Sequence, residues 1–241
     1  IIKNNKKYIN RLQSDIFSSN DIVRTNIYEE IENILFLPPC VPTKIVCLAI
    51  NYKGITNYSI DRPEPVTFLK SYNSLCINGD PISIPFNDLN SWGEAELGIV
   101  IKKKITSKTS NKKNNILGYV LANDITTQNI YDRDHHLARS KSPDRYCPIS
   151  KYIDTTFNPI GQQIEFFHND ILLRNGKISD MIMNIDKILT FISSWMTIYP
   201  GDIILTGSPP RVQDRIFIKE GDVLKCKCEG LDDLENNIDS R

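Results

Sequence analysis

An α+β, β-rich fold is what this sequence predicts, on three observations. Past Lys44 it breaks into short β-branched and apolar runs punctuated by Asn, Gly and Pro. In that part only 185–196 reads as a helix. At 241 residues and 40% hydrophobic content, the chain is long enough to bury a substantial core within one large domain.

Taken in order, residues 1–43 make a small N-terminal element, expected to pack on the main domain. It is polar and helix-compatible, with Ser19-Asn20-Asp21 as the N-cap of a helix over 22–37 that closes at Pro38-Pro39. Residues 44–241 form the main domain. There, Leu97-Gly98-Ile99-Val100-Ile101 reads as a buried strand and Leu117-Gly118-Tyr119-Val120-Leu121-Ala122 as a second. Between them, 102–113 is rich in Lys, Asn, Ser and Thr without aromatics, so it reads as a solvated hairpin loop and not as a phosphate-binding patch. Cys226 and Cys228 alternate along their run and share one strand face. There is no internal repeat and no glycine-rich nucleotide loop.

Composition excludes several function classes. A formal net charge of zero gives no global pull toward nucleic acid or an acidic membrane. No apolar run approaches the ~20 residues that span a bilayer, and the first seven residues lack the apolar core of a secretion signal. Six cysteines at this length do not make a disulfide scaffold, so reduced thiols in a cytoplasm are expected. A lone Cys226-x-Cys228 without a second pair does not suit zinc.

Chemistry concentrates at Glu94-Ala95-Glu96-Leu97, which sets two carboxylates two residues apart at the mouth of a buried strand and hence on one face. The next apolar run ends in Asn123-Asp124, bringing a third carboxylate to a strand end. Crowded carboxylates among apolar strands repel and lose hydration, so they must be protonated, solvated or neutralised by a cation. An all-oxygen set suits magnesium or manganese better than zinc. Glu-x-Glu alone also suits a solvated strand face.

Flanking segments carry a resemblance. In order they are Lys44-Ile45-Val46-Cys47-Leu48-Ala49-Ile50-Asn51-Tyr52, Pro65-Val66-Thr67-Phe68-Leu69-Lys70, Asn78-Gly79-Asp80-Pro81-Ile82 and Trp92-Gly93-Glu94-Ala95-Glu96-Leu97. Gly118-Tyr119-Val120-Leu121-Ala122-Asn123-Asp124, Arg139-Ser140-Lys141-Ser142 with Cys147-Pro148, Asp180-Met181-Ile182 and Pro200-Gly201-Asp202-Ile203-Ile204-Leu205-Thr206-Gly207-Ser208-Pro209-Pro210 follow. From about Pro38 to the C-terminus the set resembles the catalytic domain of the fumarylacetoacetate hydrolase family. The resemblance implies a mixed β-sandwich roll, paired as a homodimer. It implies that Glu94, Glu96 and Asp124 hold magnesium, with manganese or calcium as alternatives, and that the substrate is a small 2-oxo or diketo acid. Chelation of such an acid would stabilise an enolate, the shared intermediate of C–C hydrolysis, decarboxylation and 2-hydroxy-diene-dioate isomerisation. By the same resemblance Lys141 is the active-site lysine, Thr206 and Gly207 contact substrate, and Lys70 and Arg139 stand near the site.

Departures from the family pattern matter too. Hydrolytic members follow Asn-Tyr, after two intervening residues, with a His, and place a Glu three further on, a dyad that activates water. Here those positions hold Ile55 and Tyr58, neither of which is a base near neutral pH. His135 and His136 lie where the family has a mobile lid and are the candidates for a replacement base, with a solvated surface pair as the plain alternative; His168 reads as a turn residue. Gln128-Asn129 replaces a common Arg-Asp. Arg211 stands where glycine is usual and suits either a second carboxylate of a diacid or, as the simpler expectation, a remodelled surface loop. Three functions follow: enolate chemistry on a 2-oxo acid by C–C cleavage, decarboxylation, isomerisation or dehydration, weighted away from hydrolysis by loss of the dyad; hydrolysis with a lid base; or a catalytically silent metal-binding or scaffold protein.

Overall fold

The computed structural model describes residues 2–3, 6–19, 21–55, 64–86 and 88–240. It divides into two compact units, Ile1–Leu37 and Pro38–Arg241. In the first, strands Ile2–Lys3, Lys6–Leu12 and Arg24–Glu30 form an antiparallel sheet in that order. The helix expected over 22–37 is therefore absent: its middle is a strand, followed by a single 3-10 turn at Ile31–Asn33. Thr25, Ile27 and Tyr28 are weak helix formers but good strand formers. Arg11 also reaches Glu29 across the ladder at 2.7 Å, and Lys6 and Tyr8 both reach Glu30, at 3.0 and 3.1 Å. Asn20 of the expected N-cap lies outside the described residues.

The second unit is a mixed β-sandwich with few helices. Its larger sheet runs Val66–Lys70, Ile45–Ala49, Ile203–Leu205, Ala95–Ile101, Ile116–Asn123, Cys147–Ile149, Leu75–Ile77. The pairs of Ile203–Leu205 with Ile45–Ala49 and of Cys147–Ile149 with Leu75–Ile77 are parallel, the rest antiparallel. A five-stranded sheet, Ile171–Lys177, Gln163–His168, Val223–Cys228, Leu234–Asp239, Ile82–Ser83, supplies the other layer. One core joins them, with Leu97, Ile99 and Leu121 from the first and Ile164, Phe166, Leu224 and Cys226 from the second. Every residue of Ala95–Ile101 is buried; the apolar run Leu97–Ile101 suits a central strand covered on both faces, and Glu96 is the one charged residue within the strand.

Several sequence expectations meet their elements directly. The helix is Ile185–Trp195, capped by Asn184, whose side chain accepts from Lys187 N at 3.0 Å, and it buries Ile185, Ile188, Leu189 and Ile192. The lysine-rich stretch links the antiparallel strands Ala95–Ile101 and Ile116–Asn123. All six cysteines are free and buried; burial pushes the Cys40 and Cys147 thiols up to about 12. Among the described residues no helix is long and apolar enough to cross a membrane.

One polar lock fixes the parallel pair at the sheet's centre. Asp202 is wholly buried: its Oδ1 accepts from Thr43 N at 2.9 Å and Thr43 Oγ1 at 2.7 Å, and its Oδ2 accepts from Tyr199 N at 2.7 Å and pairs with Lys44 Nζ at 2.5 Å. Thus Pro200-Gly201-Asp202 is a structural clasp for strands distant in sequence.

Candidate active site

Pairing register gathers the acidic residues. Ala122 faces Glu96 and Asn123 faces Ala95 across the antiparallel pair, so Asp124 emerges beside the Glu94–Glu96 turn. Asp124 N donates to Glu94 O at 2.9 Å, and Asn123 Oδ1 accepts from Glu94 N at 2.9 Å. Gly93 is required here, since a Cβ would stand 2.7 Å from Asn123 Oδ1 and 2.6 Å from Phe166 Cζ. Carboxylate oxygens of Glu94, Glu96 and Asp124 all lie within 4.8 Å of one another. One oxygen from each, drawn onto a hard divalent cation at ~2.1 Å, would stand at most ~4.2 Å from the others, so the trio suits one ion after a small closure.

Electrostatics explain why the cluster needs positive charge. Burial pushes the Glu96 carboxyl well above its ordinary range, and Asp124 and Glu94 push the same way; Lys141 and the Gly207 N–H, at 2.6 Å, offset part of this. For Asp124 burial also pushes upward, but the ammonium groups of Lys141 and Lys70 outweigh it and hold the carboxyl low. Lys70 Nζ is 2.6 Å from Asp124 Oδ1 and also donates to Ile125 O at 3.0 Å, while Lys141 pairs with Oδ2. Both lysines are buried. Burial favours a neutral Lys141, yet Asp124 and then Glu94 overcome it and raise the ammonium above its usual range. Its charge also sits 4.3 Å from the Phe68 ring centre.

The turn at Thr206-Gly207 is held by Asn51. Its Nδ2 donates to Thr206 O at 2.9 Å and Met183 O at 3.1 Å, and its Oδ1 accepts from Met183 N at 2.8 Å. Thr206 is spent on structure, its Oγ1 donating to Leu97 O at 3.0 Å. Gly207 turns with φ +94°, a conformation that presents its N–H to Glu96. Ile50 also has positive φ, 62°, rare for a β-branched residue and typical of a strained functional wall.

Glu94 and Glu96 open on a cleft of ≈ 390 Å³ whose walls include Ile55, Arg174, Arg211 and Arg215. Ile55, at the first dyad position, is thus part of the cleft wall. Tyr58, at the second, lies outside the described residues. His135 and His136 are exposed and do not line the cleft; His168 is buried elsewhere, with Nε2 2.8 Å from Asp222. Arg139 is exposed over Phe86, also away from the cleft lining. Sequence reasoning missed Arg174, a buried residue that pairs with Glu94 and donates to Pro209 O at 2.8 Å. A lone arginine in the run Ile171-Leu172-Leu173-Arg174 was the available signal.

The model of the fumarylacetoacetate hydrolase C-terminal domain matches residues 44–239. The chain belongs to the fumarylacetoacetate hydrolase family. An uncharacterized protein of Methanocaldococcus jannaschii is 34% identical over 221 residues, 90% of this chain and 92% of that protein. An oxaloacetate tautomerase of Xenopus laevis is 30% identical, over 86% of this chain and 69% of its own length. Among solved structures, a 2-hydroxyhepta-2,4-diene-1,7-dioate isomerase from Mycobacterium marinum matches with TM-score 0.84 and 27% identity, covering 97% and 88% of the two chains. The family thus includes enzymes with different reactions.

Proposed function

We propose that this protein is a divalent-metal-dependent enzyme that interconverts keto and enol forms of a 2-oxo or 1,3-dicarbonyl acid. One observation carries the reading: three carboxylates converge around two buried lysines, while Ile55 occupies the cleft wall where hydrolytic relatives place their base. A hard divalent cation on Glu94, Glu96 and Asp124 would supply a Lewis acid for the 2-oxo carboxylate. Lys70 and Lys141 fix the two oxygens of Asp124, and the Gly207 N–H fixes Glu96, so the donor set is pre-positioned. Lys141 keeps its proton and places positive charge where an enolising oxygen gains negative charge. Isoleucine cannot take a proton from water, which favours proton movement over hydrolytic C–C cleavage. The tautomerase and isomerase among the relatives support the same emphasis.

Exchange of the C3 protons of oxaloacetate or 2-oxobutyrate for deuterium, followed by NMR with magnesium or manganese, tests it. Exchange should be accelerated by the wild type with metal and fall to the uncatalysed rate with chelator or in Glu96→Gln. Equal exchange with and without protein, across both acids and both metals, would contradict the reading.

A further inference from the structure

The cleft holds positive charge that the family site does not consume. Arg174 is paired with Glu94, but Arg211 and Arg215 make no ion pair among the described residues. Together with Lys70 and Lys141, five cationic side chains meet three carboxylates, and a divalent cation would add further positive charge. Such a site is under-neutralised by a monoanion.

The two unpaired arginines are also built in. Segment 209–218 is tied to the sheets by Arg174 Nη1 donating to Pro209 O at 2.8 Å, Val212 N to Leu173 O at 2.9 Å and Ile218 N to Ser91 O at 2.8 Å. Arg174 and Arg211 face each other in an antiparallel bridge. Arg215 lies 3.7 Å from the Trp92 ring centre, and its Nε is buried with no hydrogen-bond partner. Burial, reinforced by Arg211 and Arg174, lowers its hold on its proton, with Glu94 opposing. A guanidinium stacked on an aromatic ring in a cleft wall, with no ion pair among the described residues, is pre-set to take a planar anion.

We propose that Arg211 and Arg215 form a carboxylate-binding subsite that selects 2-oxo acids carrying a second carboxylate, with Arg174 as the residue that positions their loop. This rests on the proposed 2-oxo acid chemistry for its substrate head group, not for the anion subsite itself. Arg211, expected from sequence to decorate a surface loop, is exposed but stands in the cleft wall.

The probe pair is 2-oxoglutarate and 2-oxopentanoate, which differ by the distal carboxylate. Binding to the magnesium-loaded protein is read by Trp92 fluorescence in a Trp195→Phe background, a measurement that needs no turnover. The parent should bind the diacid more tightly, and Arg211→Gln and Arg215→Gln should each cut that preference roughly 10- to 100-fold, the worth of a charged hydrogen-bond pair. Arg211→Gln alters an exposed side chain, so its result stands even where Arg215→Gln fails to fold. Equal affinity of the parent for both acids, an unchanged preference in Arg211→Gln, or equal loss of both ligands would overturn the subsite. Deuterium exchange that persists with an unchanged preference would sink the subsite alone; a lost preference without any exchange would sink the enolisation reading alone.

Discussion

Glu96→Gln should make the metal-free protein more stable while removing its response to metal. Glu96 is buried beside Asp124 and Glu94, and its carboxyl is raised well above the ordinary range by burial first and those neighbours second. For an acid raised in the folded state, the unfolded chain loses its proton first as pH rises, so stability falls from the ordinary carboxylate range upward. Holding that proton to pH 7 costs about 1.4 kcal/mol per pH unit from ~4.3, a ceiling of roughly 4 kcal/mol. Coulomb repulsion agrees in scale, about 3 kcal/mol for two charges ~5 Å apart at an effective dielectric of ~20. The neutral amide still accepts from Gly207 N but more weakly, giving back about 1 kcal/mol. A net gain of about 1–3 kcal/mol corresponds to a Tm rise of about 3–10 °C at this size. Thermal unfolding in chelator at pH 7 reads it, and the gain should vanish near pH 4. Added magnesium should raise the Tm of the wild type only. An unchanged or lower Tm for Glu96→Gln in chelator, with the fold intact, would refute the electrostatic reasoning.

Other substitutions separate scaffold from chemistry. Asp202→Asn turns one acceptor oxygen into a donor facing Thr43 N or Tyr199 N, leaving buried donors unsatisfied; about 2–4 kcal/mol of stability and a matching drop in Tm are expected. Lys141→Gln should lower kcat for proton exchange by about 10²–10³ as an electrostatic stabiliser is lost, with metal still detected by calorimetry. Gly93→Ala should displace Asn123 and with it Glu94, weakening metal affinity in the same titration. A His135→Ala/His136→Ala double variant should keep at least about half the wild-type rate, because neither ring lines the cleft; a tenfold loss would bring the lid base back.

The carboxylate cluster was legible because period-two spacing fixes Glu94 and Glu96 without tertiary knowledge, and because Asp124 ends an apolar run. Lys141 was legible only through motif order, since a lysine between serines in a loop carries no local sign of burial. Arg174 escaped because its partner Glu94 is 80 residues away and only the sheet packing joins them. Capping residues and Pro38-Pro39 frame 22–37 as a helix, whereas the strand preference of Thr25, Ile27 and Tyr28 and pairing with Lys6–Leu12 decide the matter, the ion pairs to Lys6 and Arg11 adding only a little. Arg211 shows the same limit in reverse: its loop is exposed, yet the bridge to Arg174 turns it to the cleft.

Stopped-flow absorbance of oxaloacetate ketonisation, in magnesium or manganese and then in chelator, tests the central claim most directly. Catalysis should need the metal and disappear in Glu96→Gln. Catalysis that survives chelator, or that Glu96→Gln leaves intact, would contradict it.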